Sequence, residues 1–327
     1  MLAAAWLLPA CTPAAPARPT PAPIPTTLAQ VTSSPTVAPT HTLQPTVTPS
    51  STASSTANTS TPTATASPAA TAQASHAPQI TILAENVPGL DDLALAPDGS
   101  IYVSNVDDGT IRSYAPDRAP QTLVSGLSEP EGIVVLPDHS LIIAEQGKNR
   151  LVHYDITTRM LTPLLQLENT TGQLGVDGIT LDAHDPLSVT LIIPDSPNGR
   201  VLRANLDGEL LGIVARGLAR PTSAAAEKDG SILITDENAN ALKRIRPDGT
   251  IELIAALPTP DDVVVDDKGV IYVNTLGDGT IHRFVPGVMK DEAWVTGLSG
   301  PQGIIFDRAG DVVVTDTGHR RLISIMP

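Results

Sequence analysis

From about residue 79 onward the sequence repeats itself six times. One unit reads Glu129-Pro130-Glu131-Gly132-Ile133-Val134-Val135, a turn at Asp138-His139, then Leu141-Ile142-Ile143-Ala144-Glu145. A polar turn follows, then Arg150-Leu151-Val152-His153-Tyr154 and Leu161-Thr162-Pro163-Leu164-Leu165. The corresponding inner segments begin near Asp91, Glu131, Asp177, Thr222, Asp261 and Gln302, at spacings of 40, 46, 45, 39 and 41. The two long spacings place an insertion around Asp182 to Val189. Each unit supplies short β-branched and aliphatic runs parted by turn residues, without the i, i+3, i+4, i+7 pattern of a helix. Asp98-Gly99, Asp229-Gly230, Lys268-Gly269 and Ala309-Gly310 recur at the first turn, where glycine takes a positive φ without steric cost. Four short strands per unit of about 40 residues predict an all-β, six-bladed β-propeller over residues 79–327.

The count of strands also predicts how the ring closes. Units one to five each carry a fourth, outer run, whereas the sixth ends after three. Ile80-Thr81-Ile82-Leu83-Ala84, ahead of unit one, matches the missing run. The first strand of the domain is therefore expected to complete the last blade, which pairs two otherwise exposed edges.

Composition separates this domain from what precedes it. Between Thr12 and Ala77, 53 of 66 residues are Ser, Thr, Pro or Ala, and Arg18 is the only charged side chain. Such a segment has too little apolar surface to offset its ordering entropy, so residues 12–78 read as a tether spanning roughly 45 Å. All 35 acids of the chain, but only 19 of its 20 bases, fall in the repeat region, a formal charge of −16. That excludes phosphate-backbone binding and so a nucleic-acid partner, because such binding relies on Lys and Arg clusters. Residues 1–11 end in Leu7-Leu8-Pro9-Ala10-Cys11 after an apolar run. This resembles the end of a bacterial lipoprotein signal peptide, in which the cysteine is lipidated. The resemblance implies an extracytoplasmic domain held to a membrane through Cys11, the other reading being a secretory signal with an incidental cysteine.

The starts of the inner strands converge at one end of the central channel. They bring Asp91, Glu131, Asp177, Thr222, Asp261 and Gln302 together, with Asp92 and Asp262 adjacent. Four carboxylates in such a ring repel one another unless they are protonated or bridged by a cation. Hard cations such as Ca²⁺ take six to eight oxygen ligands, so Asp91, Glu131, Asp177 and Asp261 are the expected metal-binding set. Asp92, Thr222, Asp262, Gln302 and His319 complete a ligand rim. The ends of the second strands (Asn105, Glu145, Asp195, Asp236, Thr275 and Asp316) return to the same face. Asp236 and Asp316 there are expected to cap turns. The histidines do not assemble a three-histidine zinc site. Nucleophile elbows, P-loops and dinucleotide fingerprints are absent.

The repeats resemble NHL-repeat propellers, carried by Gly300-Pro301-Gln302-Gly303-Ile304-Ile305-Phe306-Asp307, Gly310-Asp311-Val312-Val313-Val314-Thr315-Asp316 and Arg320-Arg321. They also resemble the SMP-30/gluconolactonase-like and paraoxonase-like six-bladed propellers, carried by Leu90-Asp91-Asp92-Leu93-Ala94-Leu95 and Pro260-Asp261-Asp262-Val263. The second resemblance implies a divalent metal held by an acid in blade one, asparagines in blades three and four, and an aspartate in blade five. Asp91 and Asp261 match the outer two. Asp177 lies beside Val176 at the blade-three position, and Thr222 stands at the blade-four position. Two functions follow. One is an NHL-like binding module for a small molecule, glycan or protein at the channel mouth. The other is a metal-dependent lactone or ester hydrolase, with Asp261 as ligand and general base.

Overall fold

The computed structural model describes residues 78–185 and 187–327. The expected lipidation segment 1–11 and nearly all of the tether lie outside them. The described residues form six four-stranded antiparallel sheets arranged as blades. In blade one the inner, second, third and outer strands are Leu90–Leu95, Ile101–Asn105, Thr110–Ala115 and Arg118–Ser125. Blades two to five repeat this order. Among the described residues no helix is long and apolar enough to cross a membrane.

The ring closes as the strand count requires. Gln79–Glu85 pairs antiparallel with Arg321–Met326, with Ile80 opposite Ile325 and Ile82 opposite Ile323. The last blade thus takes three strands from one end of the domain and one from the other. The first turns take the conformation expected of them: Gly99, Gly230, Gly269 and Gly310 have φ between 81° and 90°.

Packing follows from the alternation of side chains along each strand. Six apolar clusters form, one at each junction of neighbouring blades. Second strands are buried on both faces, as in Leu141–Glu145 and Ile232–Asp236. Their Ile, Val and Leu side chains suit a flat, doubly covered sheet. At the junction of blades five and six Trp294 and Phe306 both stand edge-on to Tyr272.

The insertion expected around Asp182 to Val189 is present, in the first hairpin of blade three, where seven residues separate the two strands against five in the other blades. It does not account for the length of the unit of blade two. The unit of blade two is long because 13 residues separate its outer strand Met160–Gln166 from the next inner strand Thr180–Asp182; elsewhere this link takes 3 to 5 residues. The unit of blade three is long because of the first hairpin, between Asp182 and the second strand Thr190–Asp195. Repeat spacing adds up every link in a unit, and for the unit of blade two it does not show that the link to the next blade has grown.

Candidate functional site

The inner strands share one irregularity that creates the site. In blades two, four, five and six they open on Pro130, Pro221, Pro260 and Pro301. Proline is tolerated at a strand's first residue because its missing N–H is not needed there. Each first residue pairs with the last residue of the second strand, Pro260 with Thr275 for example, and regular pairing resumes only three residues later. Leu90 in blade one behaves identically. Two residues therefore oppose one, as in a bulge. The bulged pairs are Asp91-Asp92, Glu131-Gly132, Thr222-Ser223, Asp261-Asp262 and Gln302-Gly303, which drop out of the regular backbone ladder of their own blade.

In blades one, four, five and six the single residue opposite the bulge satisfies the backbone groups left over; in blade two that residue is Ala144, and the Gly132 N–H donates instead to the Asp177 carbonyl at 3.2 Å. Thr315 Oγ1 accepts from the Gly303 N–H at 2.8 Å and donates to the Asp91 carbonyl at 2.6 Å. Thr235 Oγ1 does the same between Ser223 N–H and the Asp261 carbonyl, at 2.9 and 2.7 Å. Asn274 Oδ1 accepts from Asp262 N–H, and Ser104 Oγ accepts from Asp92 N–H. Each bridge ties a blade to its own bulge, and the two threonines also reach the next blade. Sequence reasoning passed over these residues. The available signal was a hydroxyl or amide recurring one position before Asn105, Asp236, Thr275 and Asp316. Thr315→Val is expected to cost about 2 kcal/mol by orphaning two buried backbone groups, with Thr315→Ser near wild type. Urea unfolding of the two variants checks this.

Asp91 and Glu131 are buried, Asp177 and Asp261 half-buried. Burial, and then the charge of Asp177, push the carboxyls of Asp91, Glu131 and Asp261 well above the usual carboxylate range. Oε2 of Glu131 is buried without a hydrogen-bond partner. Asp91, Asp177, Thr222, Asp261 and Gln302 line a recess of about 10 Å³, room for a single ion or water molecule. Thr222 contributes little free polarity, because its hydroxyl already donates to the Asp261 carbonyl at 2.8 Å.

Asp92 and Asp262 line both this recess and an adjoining bore of about 280 Å³. Their carboxylates reach the neighbouring blades, accepting from Ile133 N–H at 3.2 Å and Ile304 N–H at 2.8 Å respectively. Burial raises Asp262 to about 6 against the pull of hydrogen bonds from Ser223, Ile304 and Val263. Both therefore join blades as well as lining the channel. His319 is half-exposed on its turn, with Nδ1 2.9 Å from Asp316 Oδ2, so it serves that turn. Asp316 also accepts from Ser299 N–H and Arg321, and Asp236 accepts from Ala219 N–H, Arg220 N–H and Lys243. These two aspartates cap turns as expected.

The residue that sequence reasoning missed is Arg220. It precedes Pro221, where blades one, two, five and six have Gly89, Glu129, Thr259 and Gly300, all at positive φ. Its guanidinium is 15% exposed, donates to Asp177 Oδ2 at 2.6 Å and also pairs with Glu237. It lowers the proton affinity of Asp91 and Asp261. The acidic centre thus holds one internal cation. Among the described residues, no three His, Cys, Asp or Glu side chains already close on a single metal position. The donor chemistry nevertheless fits a hard cation: carboxylate oxygens of Asp91, Asp177 and Asp261 line an ion-sized space, and Glu131, within electrostatic reach of Asp91 and Asp177, has an unused buried lone pair nearby.

No family model and no curated protein matches the sequence. Solved structures do match. A gluconolactonase from Xanthomonas campestris superposes with a TM-score of 0.64 at 15% identity, covering 76% of this chain and 89% of that one. Regucalcin, a calcium-binding protein from Agrobacterium tumefaciens, gives 0.62 at 16% identity, covering 75% and 92%. A streptogramin B lyase gives 0.59 at 14% identity, covering 76% and 97%. The chain shares the six-bladed fold of the gluconolactonase-like propellers. At these identities the likeness speaks for the fold, and the function has to be argued from the site.

Proposed function

We propose that this chain is a tethered propeller binding module whose acidic centre takes up one divalent cation, Ca²⁺ by its donor set. The observation that carries the reading is the ion-sized recess lined by Asp91, Asp177 and Asp261, where burial and mutual repulsion raise the proton affinity of Asp91 and Asp261. Hard oxygen donors and an orphaned buried Glu131 oxygen suit a cation that replaces those protons. Asp91, Glu131 and Asp261 would hold it, with Asp177 kept on Arg220. The calcium-binding regucalcin of the same fold supports the reading. In this proposal lipidated Cys11 and the Ser/Thr/Pro-rich segment hold the domain off an extracytoplasmic membrane surface. The mouth of the channel then faces a small molecule, glycan or protein.

Calorimetric titration of the whole chain with CaCl₂ tests it. One site is expected, with protons released on binding, so the heat at pH 6 should depend on the ionisation enthalpy of the buffer. Affinity should rise with pH, because deprotonation of the raised carboxyls precedes ligation. Asp91→Ala with Asp261→Ala should abolish binding; absence of binding in the parent chain would overturn the proposal.

A second reading is favoured by the positions of Asp91 and Asp261 and by the gluconolactonase of the same fold. In it the bound cation supplies Lewis-acid polarisation of a lactone or ester carbonyl. Asp261 then positions or accepts a proton. Thr222 and buried Val176 occupy the places where the resembled hydrolases carry asparagine ligands, and the recess admits no organic ring. An aldonolactone and aryl-ester screen decides: turnover abolished by Asp261→Asn would establish the hydrolase, whereas cation binding without turnover favours the binding module.

A further inference from the structure

A second recess lies on the same face, between blades two and three, and it differs in chemistry from the acidic centre. It encloses about 220 Å³ and is lined by Gln146, Lys148, Asn149, Asn169, Thr170 and Gln173, with no carboxylate side chain among its lining residues. It exists because the link between these two blades is 13 residues long, where the others take 3 to 5. That loop is anchored to both blades. Asn149 donates to the Glu168 carbonyl at 2.9 Å and accepts from Val176 N–H at 2.8 Å. Asn198 of blade three donates to the same carbonyl at 2.8 Å, and Thr170 Oγ1 donates to Asn198 Oδ1 at 2.7 Å. Gly175 lets the loop seat, because a Cβ there would stand 2.1 Å from the Gln146 carbonyl oxygen.

The anchoring residues are thus spent, and other amides are left over. Gln146 is 8% exposed, lines the recess, and has no hydrogen-bond partner for its carboxamide among the described residues. The side chains of Asn169 and Gln173 are exposed at the rim and equally uncommitted. The one cation in the lining, Lys148, shares Glu145 with Arg150, lying 3.3 Å from its Oε1. A carboxamide donates and accepts at once, as a hydroxyl does, so three free amides around a recess without carboxylates match a ligand carrying adjacent hydroxyls.

We propose that this recess binds an uncharged saccharide, with room for a single sugar ring. Gln146 fixes the buried edge of the ring, and Asn169 and Gln173 hold its outer hydroxyls. The site is independent of the acidic centre.

The test is saturation-transfer NMR and calorimetry on the whole chain with methyl α-D-glucoside, methyl β-D-galactoside and N-acetylglucosamine, and with glucuronate as the charged comparison. At least one neutral sugar should bind. Gln146→Leu should weaken it about tenfold or more through the lost hydrogen bonds. Asn169→Ala with Gln173→Ala, both exposed and harmless to folding, should do the same. Asp91→Ala with Asp261→Ala should leave it unchanged, which separates this site from the proposed cation site. No binding by any neutral sugar, binding of glucuronate alone, or full affinity in the Asn169/Gln173 double variant would each overturn the proposal.

Discussion

Removing Gln79–Glu85 should abolish the cooperative unfolding of the whole propeller, although this strand is the most exposed of the last blade. Ile80, Ile82 and Leu83 are each about 45% exposed, so the loss is chiefly one of backbone pairing. Six residues of the strand are in register with Arg321–Met326. At about 1 kcal/mol net for each hydrogen bond, the cost is on the order of 5 kcal/mol, comparable with the entire stability of a marginal domain. It also bares the edge of Arg321–Met326 and loosens Ala84 and Val87 from the junction of blades six and one. Urea unfolding followed by circular dichroism measures it. Re-attaching the seven residues behind Pro327 through a short Gly/Ser turn should restore the transition, since a hairpin delivers the same antiparallel pairing. An unchanged midpoint after deletion would show that the strand is a surface arm and that the last blade closes without it.

The second large effect is expected at Arg220. Arg220→Leu leaves Asp177 and Glu237 without their cation while Asp91, Glu131 and Asp261 remain crowded around Asp177. Breaking a largely buried pair by removing one partner costs about 3–5 kcal/mol. The sign of its pH dependence follows from the raised carboxyls. In the folded state Asp91, Glu131 and Asp261 hold protons at pH values where the unfolded chain has released them. The native state therefore binds more protons, and stability falls as pH rises from the ordinary carboxylate range through the raised values. Without Arg220 that fall should steepen, so the variant should be close to the parent chain at pH 5 and markedly weaker at pH 8. Saturating Ca²⁺ should narrow the gap at pH 8 under the proposed cation site, because a ligand that binds only the native state stabilises it. A destabilisation equal at both pH values would mean that Arg220 acts through packing rather than through charge.

The six blades, the closure of the ring and the convergence of Asp91, Glu131, Asp177 and Asp261 on one face were legible in the sequence alone. The reason is periodicity: in a propeller, position within the repeat is position in space, so equivalent residues meet around the axis whatever their identity. The capping roles of Asp236 and Asp316 followed from the same register. What breaks the repeat was not legible. Arg220 has no equivalent in the other blades, and its ion pair with Asp177 spans 43 residues. The bridges through Ser104, Thr235, Asn274 and Thr315 depend on a bulge that no residue pattern announces, because two unpaired residues look like any others in a strand. Asp92 and Asp262 differ from Asp91 and Asp261 only in which side of that bulge they occupy, yet only Asp92 and Asp262 carry their carboxylates to backbone N–H groups of a neighbouring blade. The long link between blades two and three gave only an enlarged spacing. Repetition in the sequence determined the frame and which residues share a face. The tertiary structure alone decided which carboxyls are free, which cation answers them and where an open polar recess is left, because those outcomes depend on side chains meeting across blades.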